Sequence, residues 1–82
     1  HRWADFKTEE GRRTFAEAQA LNETLAGEVT RLGQLRSRWS KADASTRGEL
    51  RSEILLLEAT VQQKTQQYRD LLNAVRRHEG VR

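Results

Sequence analysis

Residues 50–78 carry the clearest pattern in the chain and read LRSEILLLEATVQQKTQQYRDLLNAVRRH. Apolar side chains recur through this segment in strictly alternating steps of four and three residues. Such a repeat places its members in one stripe along a supercoiled α-helix, so the segment is predicted to be a coiled-coil helix. We name this stripe the seam; in this helix it consists of Leu50, Ile54, Leu57, Val61, Lys64, Tyr68, Leu71, Val75 and His78.

The first half of the chain has a looser version of the same repeat. Steps of three and four residues connect apolar side chains from Phe15 to Trp39, which predicts a second helix with a seam of its own. The seam residues predicted for this helix are Phe15, Ala18, Leu21, Leu25, Val29, Leu32, Leu35 and Trp39.

A polar segment without periodicity, residues 40–46, separates the two helices. Helices joined by a short connection are usually antiparallel neighbours. Residues that face each other in such a pair have position numbers with a nearly constant sum. Leu35 and Ile54 add up to 89, and so do Leu21 and Tyr68. This sum centres the turn inside the polar segment and supports a hairpin.

We predict a single all-α domain over residues 1–82, built as a coiled-coil hairpin of two long antiparallel helices. Thr46 and Glu49 have the spacing of a capping box at the start of the second helix, and Asp43 is an alternative N-cap. Gly80, after a positively charged last turn, is typical of a helix end. The predicted segments are a first helix at about 3–41, a turn at about 42–46 and a second helix at about 46–79.

The 82 residues include no cysteine, proline or methionine. Without proline the chain lacks the strongest helix breaker, and without cysteine it can form neither disulfides nor thiolate metal sites. Because no initiator methionine is present, we expect a processed product or a piece of a larger protein, and the localisation is not assigned. The longest apolar run, residues 54–57, is far short of the roughly 20 that span a bilayer, so no transmembrane segment is expected in this chain.

The outer face of the second helix predicts a further contact. Leu55 and Leu56 follow Ile54 directly, and at about 100° per residue they cannot share the seam with it. Burying a leucine side chain is worth about 1.5–3 kcal/mol, so we expect Leu55, Leu56 and, less strongly, Leu72 to contact another chain. The simplest closed assembly is a homodimer that forms a four-helix bundle, and binding to another helical protein or an isolated monomeric hairpin are the alternatives.

The region around the turn supports a second functional hypothesis. A cluster of cations beside Trp39 could bind nucleic acid or another polyanion, through charge and an aromatic platform. Trp39 also fits the seam, however, and a net charge of +3 is small for a nucleic-acid-binding protein. The cations concerned are Arg36, Arg38, Lys41, Arg47 and Arg51.

The polar seam residues and the reactive side chains do not indicate a specific functional site. Lys64 faces Leu25, with Glu28 one turn away; it either fixes the register or packs its stem while the ammonium reaches water. His78 has only His1 as a histidine companion, so no metal site is predicted. No catalytic constellation or cofactor motif is present, and we expect a non-enzymatic structural or interaction module without a cofactor.

Overall fold

The computed structural model describes residues 6–80 and shows an all-α hairpin of two helices. Helix α1 spans Glu9–Lys41 and helix α2 spans Ala44–His78. The described residues form a rod with extents of 55 × 18 × 16 Å, which is one helix long and two helices wide. The predicted all-α helical hairpin is therefore confirmed.

Helix α1 begins at Glu9 and not at about residue 3, because Thr8 is its N-cap. The Thr8 backbone is extended, and its side-chain oxygen accepts a hydrogen bond from Gly11 N at 2.9 Å. The side-chain acceptor satisfies one of the backbone N–H groups that a helix start leaves unpaired. Before the cap, the Phe6 ring packs on Phe15 with centroids 5.1 Å apart. The part of the predicted first helix at residues 3–5 lies outside the described residues.

The connection between the helices consists of two residues, Ala42 and Asp43, and is shorter than the predicted turn at 42–46. Of the two N-caps weighed for α2, Asp43 is the one used: its carboxylate accepts from Thr46 N at 2.8 Å. This hydrogen bond favours the ionised form and lowers the pKa of Asp43. Thr46 therefore lies inside the first turn of α2, and the helix begins at Ala44.

The seam of α1 passes through Glu28 and not through Val29. The step from Leu25 to Glu28 is three residues and the step from Glu28 to Leu32 is four, so the strict alternation passes through Glu28. Val29, which the apolar pattern placed on the seam, is 53% exposed, whereas Glu28 is half-buried. The repeat keeps its geometry even where the residue that occupies the seam is charged. The buried apolar residues are Ala18, Leu25, Leu32, Leu35 and Val75.

The core is thin, because each helix can bury only one stripe against the other. No large side chain among the described residues is fully buried, and Trp39 is 39% exposed near the connection. Most of the other predicted seam residues are half-buried, and His78 is exposed. The half-buried ones are Phe15, Leu21, Leu50, Ile54, Leu57, Val61, Lys64, Tyr68 and Leu71.

Contacts that cross between the helices agree with the register derived from the sequence. Thr8 binds Glu79 near one end of the rod, and their position numbers add up to 87. Arg36 binds Glu58 nearer the connection, and theirs add up to 94. Long side chains reach diagonally along the rod, so these values bracket the sum of 89 expected for residues that face each other directly.

Candidate interaction surface

A groove lies along one flank of the hairpin, in the half nearer the connection. It consists of two adjoining depressions of about 350 and 250 Å³, which share Arg31, Leu35 and Glu53. Leu56 lines the smaller depression and is 72% exposed. We name this feature the Leu56 groove; its other lining residues are Gly27, Thr30, Gln34, Arg38, Leu57 and Thr60. It combines apolar side chains with two cations from α1, Arg31 and Arg38, and an anion from α2, Glu53.

The three leucines predicted to contact another chain differ in their surroundings. Leu55 is 55% exposed, but successive helical residues point about 100° apart, and Leu55 is not among the residues that line the Leu56 groove. Leu72 is half-buried. Leu56 combines the highest exposure of the three with a place in a concave surface.

The opposite flank is bridged by an ion pair. Arg36 Nη2 lies 2.6 Å from Glu58 Oε2, and the two side chains are 58% and 36% exposed. Val29 is seven residues before Arg36 and therefore belongs to the same stripe of α1. An exposed pair of this kind contributes little stability, about 0–1 kcal/mol, but it occupies the flank with polar groups.

A second ion pair lies on the seam itself, where Lys64 Nζ donates to Glu28 Oε1. The two side chains are 30% and 21% exposed, so the ammonium of Lys64 is paired across the helix interface. The other carboxylate oxygen, Glu28 Oε2, is buried and has no hydrogen-bond partner among the described residues. A charged pair on an apolar seam disfavours other registers of the two helices, because sliding would separate the charges.

Near the connection, Arg47 closes the end of α1. Its guanidinium lies over the Trp39 ring, 4.7 Å from the centroid. Its Nε donates to Trp39 O at 3.0 Å, and its Nη2 donates to Ser40 O at 3.3 Å. These carbonyls belong to the last turn of α1, where helical donors run out. Arg47 therefore caps the carboxyl end of α1 and makes a cation–π contact with Trp39.

These contacts leave fewer cations of the predicted polyanion site available to a ligand, because Arg36 and Arg47 already donate hydrogen bonds within the chain. The cations Arg38, Lys41 and Arg51 form no ion pair with residues 6–80. Their charges are distributed over different features: Arg38 lines the Leu56 groove, whereas Arg51 lines a depression of about 340 Å³ beside Trp39.

At the open end of the hairpin, Glu79 holds the start of α1. Its carboxylate accepts from Lys7 N at 2.5 Å, from Thr8 N at 2.9 Å and from Thr8 Oγ1 at 2.9 Å. In a capping box the third helical residue supplies this carboxylate, but here that residue is Gly11. A Cβ at Gly11 would lie 2.5 Å from Glu79 Oε2, so the glycine leaves the space into which the carboxylate fits.

Sequence reasoning did not single out Glu79, although a signal exists. The constant sum of 89 places Glu79 level with Glu10, beside an N-cap threonine that lacks its usual glutamate partner. The residue is 8% exposed. The hydrogen bond from Lys7 N, followed by those from Thr8, lowers the pKa of Glu79 because each favours the carboxylate. His78, on the predicted seam, is exposed.

Within residues 6–80, no three His, Cys, Asp or Glu side chains are grouped so that they could bind a metal ion. Neither helix in this range has an apolar stretch sufficient to cross a membrane. No family model, curated protein or solved structure matches the chain. The surfaces of the hairpin are therefore the basis for a functional proposal.

Proposed function

We propose that this chain is a non-enzymatic interaction module that self-associates by helix packing through the Leu56 groove. The observation that carries the proposal is Leu56, which is 72% exposed beside a concave surface formed by Leu35 and Leu57. Full burial of that side chain would contribute about 1.5–3 kcal/mol. The groove provides the apolar surroundings that such burial needs.

A second copy of the hairpin is the partner that fits best. A two-helix rod has no large side chain fully buried among its described residues, and chains of this size commonly gain stability by oligomerisation. Two hairpins that pack through one flank each make a four-helix bundle, in which every helix has two neighbours. A homodimer of this type is therefore preferred over binding to a different helical protein.

The first prediction concerns Leu56→Glu, which should dissociate the dimer because a carboxylate would be buried without a partner. Sedimentation equilibrium should give the wild type a mass of twice the 9.5 kDa of one chain, and the variant the mass of one. Far-ultraviolet circular dichroism should show that the helices persist in the variant.

Leu55→Glu is the matched control for this prediction. It makes the same change at the adjacent residue, which is 55% exposed but points away from the groove, and it should leave the dimer intact. A wild-type monomer at high micromolar concentration would refute self-association. A dimer that tolerates Leu56→Glu and fails with Leu55→Glu would place the contact on the other flank.

Polyanion binding near the connection is the alternative function and has less support, because Arg36 and Arg47 donate inside the chain. Filter binding to single-stranded nucleic acid at low and moderate salt tests it. Appreciable affinity that falls with Arg38→Glu plus Arg51→Glu would favour this alternative; affinity unaffected by the two substitutions would exclude it.

A further inference from the structure

We infer that the second copy docks with its connection beside that of the first, so that α1 of each copy packs on α2 of the other about a two-fold axis along the rod. The inference rests on the proposed function, because it specifies how two copies meet in the Leu56 groove. It follows from the separation of charges in this groove, whose cations lie on α1 and whose anion lies on α2.

The charges on the flank that contains the groove are sorted by helix. Arg31 and Arg38 lie on α1, and Glu53 lies on α2. Glu49 precedes Glu53 by four residues, about one helical turn, so it continues the acidic stripe toward the connection. All four side chains are exposed, and none of them forms an ion pair with residues 6–80. The flank therefore presents a basic stripe and an acidic stripe side by side.

Two hairpins that stack flank to flank with aligned rods are related by a two-fold axis either across the rod or along it. An axis across the rod packs α1 on α1 and α2 on α2, so each stripe meets a stripe of its own charge. An axis along the rod packs α1 of each copy on α2 of the other. The basic stripe then meets the acidic one twice, because an isologous interface repeats every contact. Charge complementarity therefore selects the axis along the rod.

Rotation about an axis along the rod moves no residue along it, so the register of one hairpin also describes the dimer. With a sum of 89 for facing residues, Glu49 is level with residue 40 and Glu53 with residue 36. Arg38 of the other copy lies midway between these levels, about 3 Å along the axis from each. Its guanidinium therefore lies between two carboxylates of the facing helix, and charge-assisted hydrogen bonds to them are the strong kind.

Leu56 lies beside this charged cluster in the same arrangement. It is level with residue 33, so in the other copy it packs against Gln34 and Leu35, which are within two residues of that level. Both of these residues line the groove. Each Leu56 therefore enters the groove of the other copy, and the apolar contact and the ion pairs require the same orientation.

A further depression shows that the flank is concave along more of the rod. Its volume is about 350 Å³, and Leu21, Gln67, Asp70 and Leu71 line it. Its α2 residues follow those of the Leu56 groove by two heptads, as Leu71 follows Leu57, and so belong to the same stripe. An axis along the rod covers both features, because the two rods of 55 Å then overlap over their full length.

The second prediction tests the ion pairs by charge reversal in two variants. The acidic variant combines Arg31→Glu with Arg38→Glu, and its flank has acidic stripes only. The basic variant combines Glu49→Arg with Glu53→Arg, and its flank has basic stripes only. Each variant alone should dimerise about tenfold or more weakly than wild type, because like charges then meet at both contacts. An equimolar mixture should recover the lost affinity, because opposite charges meet at both contacts of the heterodimer. Analytical ultracentrifugation of the separate and mixed variants measures this.

The separate and mixed measurements exclude different alternatives. If the axis ran across the rod, like charges would already meet in the wild type, so the separate variants would keep its affinity. If the charges interacted only inside one hairpin, the mixture would not recover. Either result overturns the inference. Arg69→Glu with Arg76→Glu is the matched control: it reverses two exposed arginines, seven residues apart like Arg31 and Arg38. Arg69 follows Glu58 by three helical turns and so lies on the opposite flank, and the control should leave the affinity unchanged.

A distance measurement tests the orientation independently of charge. The chain has no cysteine, so Ser45→Cys provides a single site for a spin label near the connection. An axis along the rod places the two labels side by side at one end of the bundle. An axis across the rod near Leu56 would separate them by about 30 Å along the rod. That separation would overturn the inference while the proposed function stands; a wild-type monomer would remove both.

Discussion

At the scale of single residues, Glu79 shows how one helix can complete the cap of another. Thr8 caps α1 through its hydroxyl, but the third helical residue is Gly11 and offers no carboxylate. Glu79 supplies that carboxylate from the end of α2 and binds the N–H groups of Lys7 and Thr8. These hydrogen bonds hold the two helices together at the open end of the hairpin.

The third prediction concerns the pH dependence of this contact. Because the folded-state pKa of Glu79 is lowered, its contribution to stability is complete above the ordinary glutamate pKa of about 4.3 and is lost as the pH falls through the lower folded value. Glu79→Gln should reduce the melting temperature at neutral pH, and the difference from wild type should shrink as the solution is acidified. Thermal denaturation followed by circular dichroism measures both.

The comparison must account for Asp43, whose pKa is also lowered and whose cap weakens in acid. This residue is present in both proteins, so its effect cancels in the difference between wild type and Glu79→Gln. A difference that stays constant from neutral to acidic pH would show that the Glu79 contact does not depend on ionisation.

At the scale of the elements, each helix has two flanks with different surroundings. One flank contains the Leu56 groove, and the other is crossed by the Arg36–Glu58 ion pair. Two glycines of α1 differ in the same way: Gly27 lines the groove, whereas Gly33 is outside it. A Cβ at either position would meet no atom of residues 6–80 within 4 Å. Neither glycine is required by the hairpin itself.

The fourth prediction uses this pair of glycines. Gly33→Ala should stabilise the chain by about 1 kcal/mol, because alanine loses less backbone entropy in a helix and has open space here. Gly27→Ala should give a similar gain in helix stability but alter the dimer affinity, because its methyl group enters the proposed interface. Chemical denaturation measures the first effect and ultracentrifugation the second; equal affinities for the two variants would argue against contact at Gly27.

At the scale of the whole molecule, a rod of two helices buries one stripe from each helix and leaves the rest of both surfaces to water or to a partner. The seam includes the Lys64–Glu28 pair, so part of the stripe is used for charges that restrict the register. Only five apolar residues of the described chain are buried. A second hairpin would supply the additional apolar burial that this core lacks.

The fifth prediction is that thermal stability depends on concentration. A folded dimer in equilibrium with unfolded monomers melts at a higher temperature as the total concentration rises. The wild type should show this shift over roughly a hundredfold range of concentration, and Leu56→Glu should not. A wild-type melting temperature that is independent of concentration would indicate that the hairpin unfolds as a monomer.

The sequence alone was sufficient for the fold and for most of the seam. The alternation in residues 50–78 and the constant sum of 89 predicted two antiparallel helices, and Asp43 was among the caps that the sequence offered. One seam residue of α1 was predicted as Val29 but is Glu28 in the structure. This difference shows the limit of a pattern based on apolar residues alone. An apolar scale prefers valine to glutamate, but the period of the repeat, set by backbone geometry, places Glu28 on the seam beside Lys64.

The sequence by itself determined what repeats along the chain: helix periodicity and caps follow from residues close together, and the position of the turn follows from the polar segment and from matching the repeats of the two helices. Tertiary structure decided the contacts between residues far apart, such as Glu79 with Thr8 and Lys64 with Glu28. It also separated Leu56 from Leu55, because a flank becomes a groove only when the second helix is in place. The physical reason is that side-chain reach across two packed helices depends on their relative rotation, which no segment of the chain encodes alone.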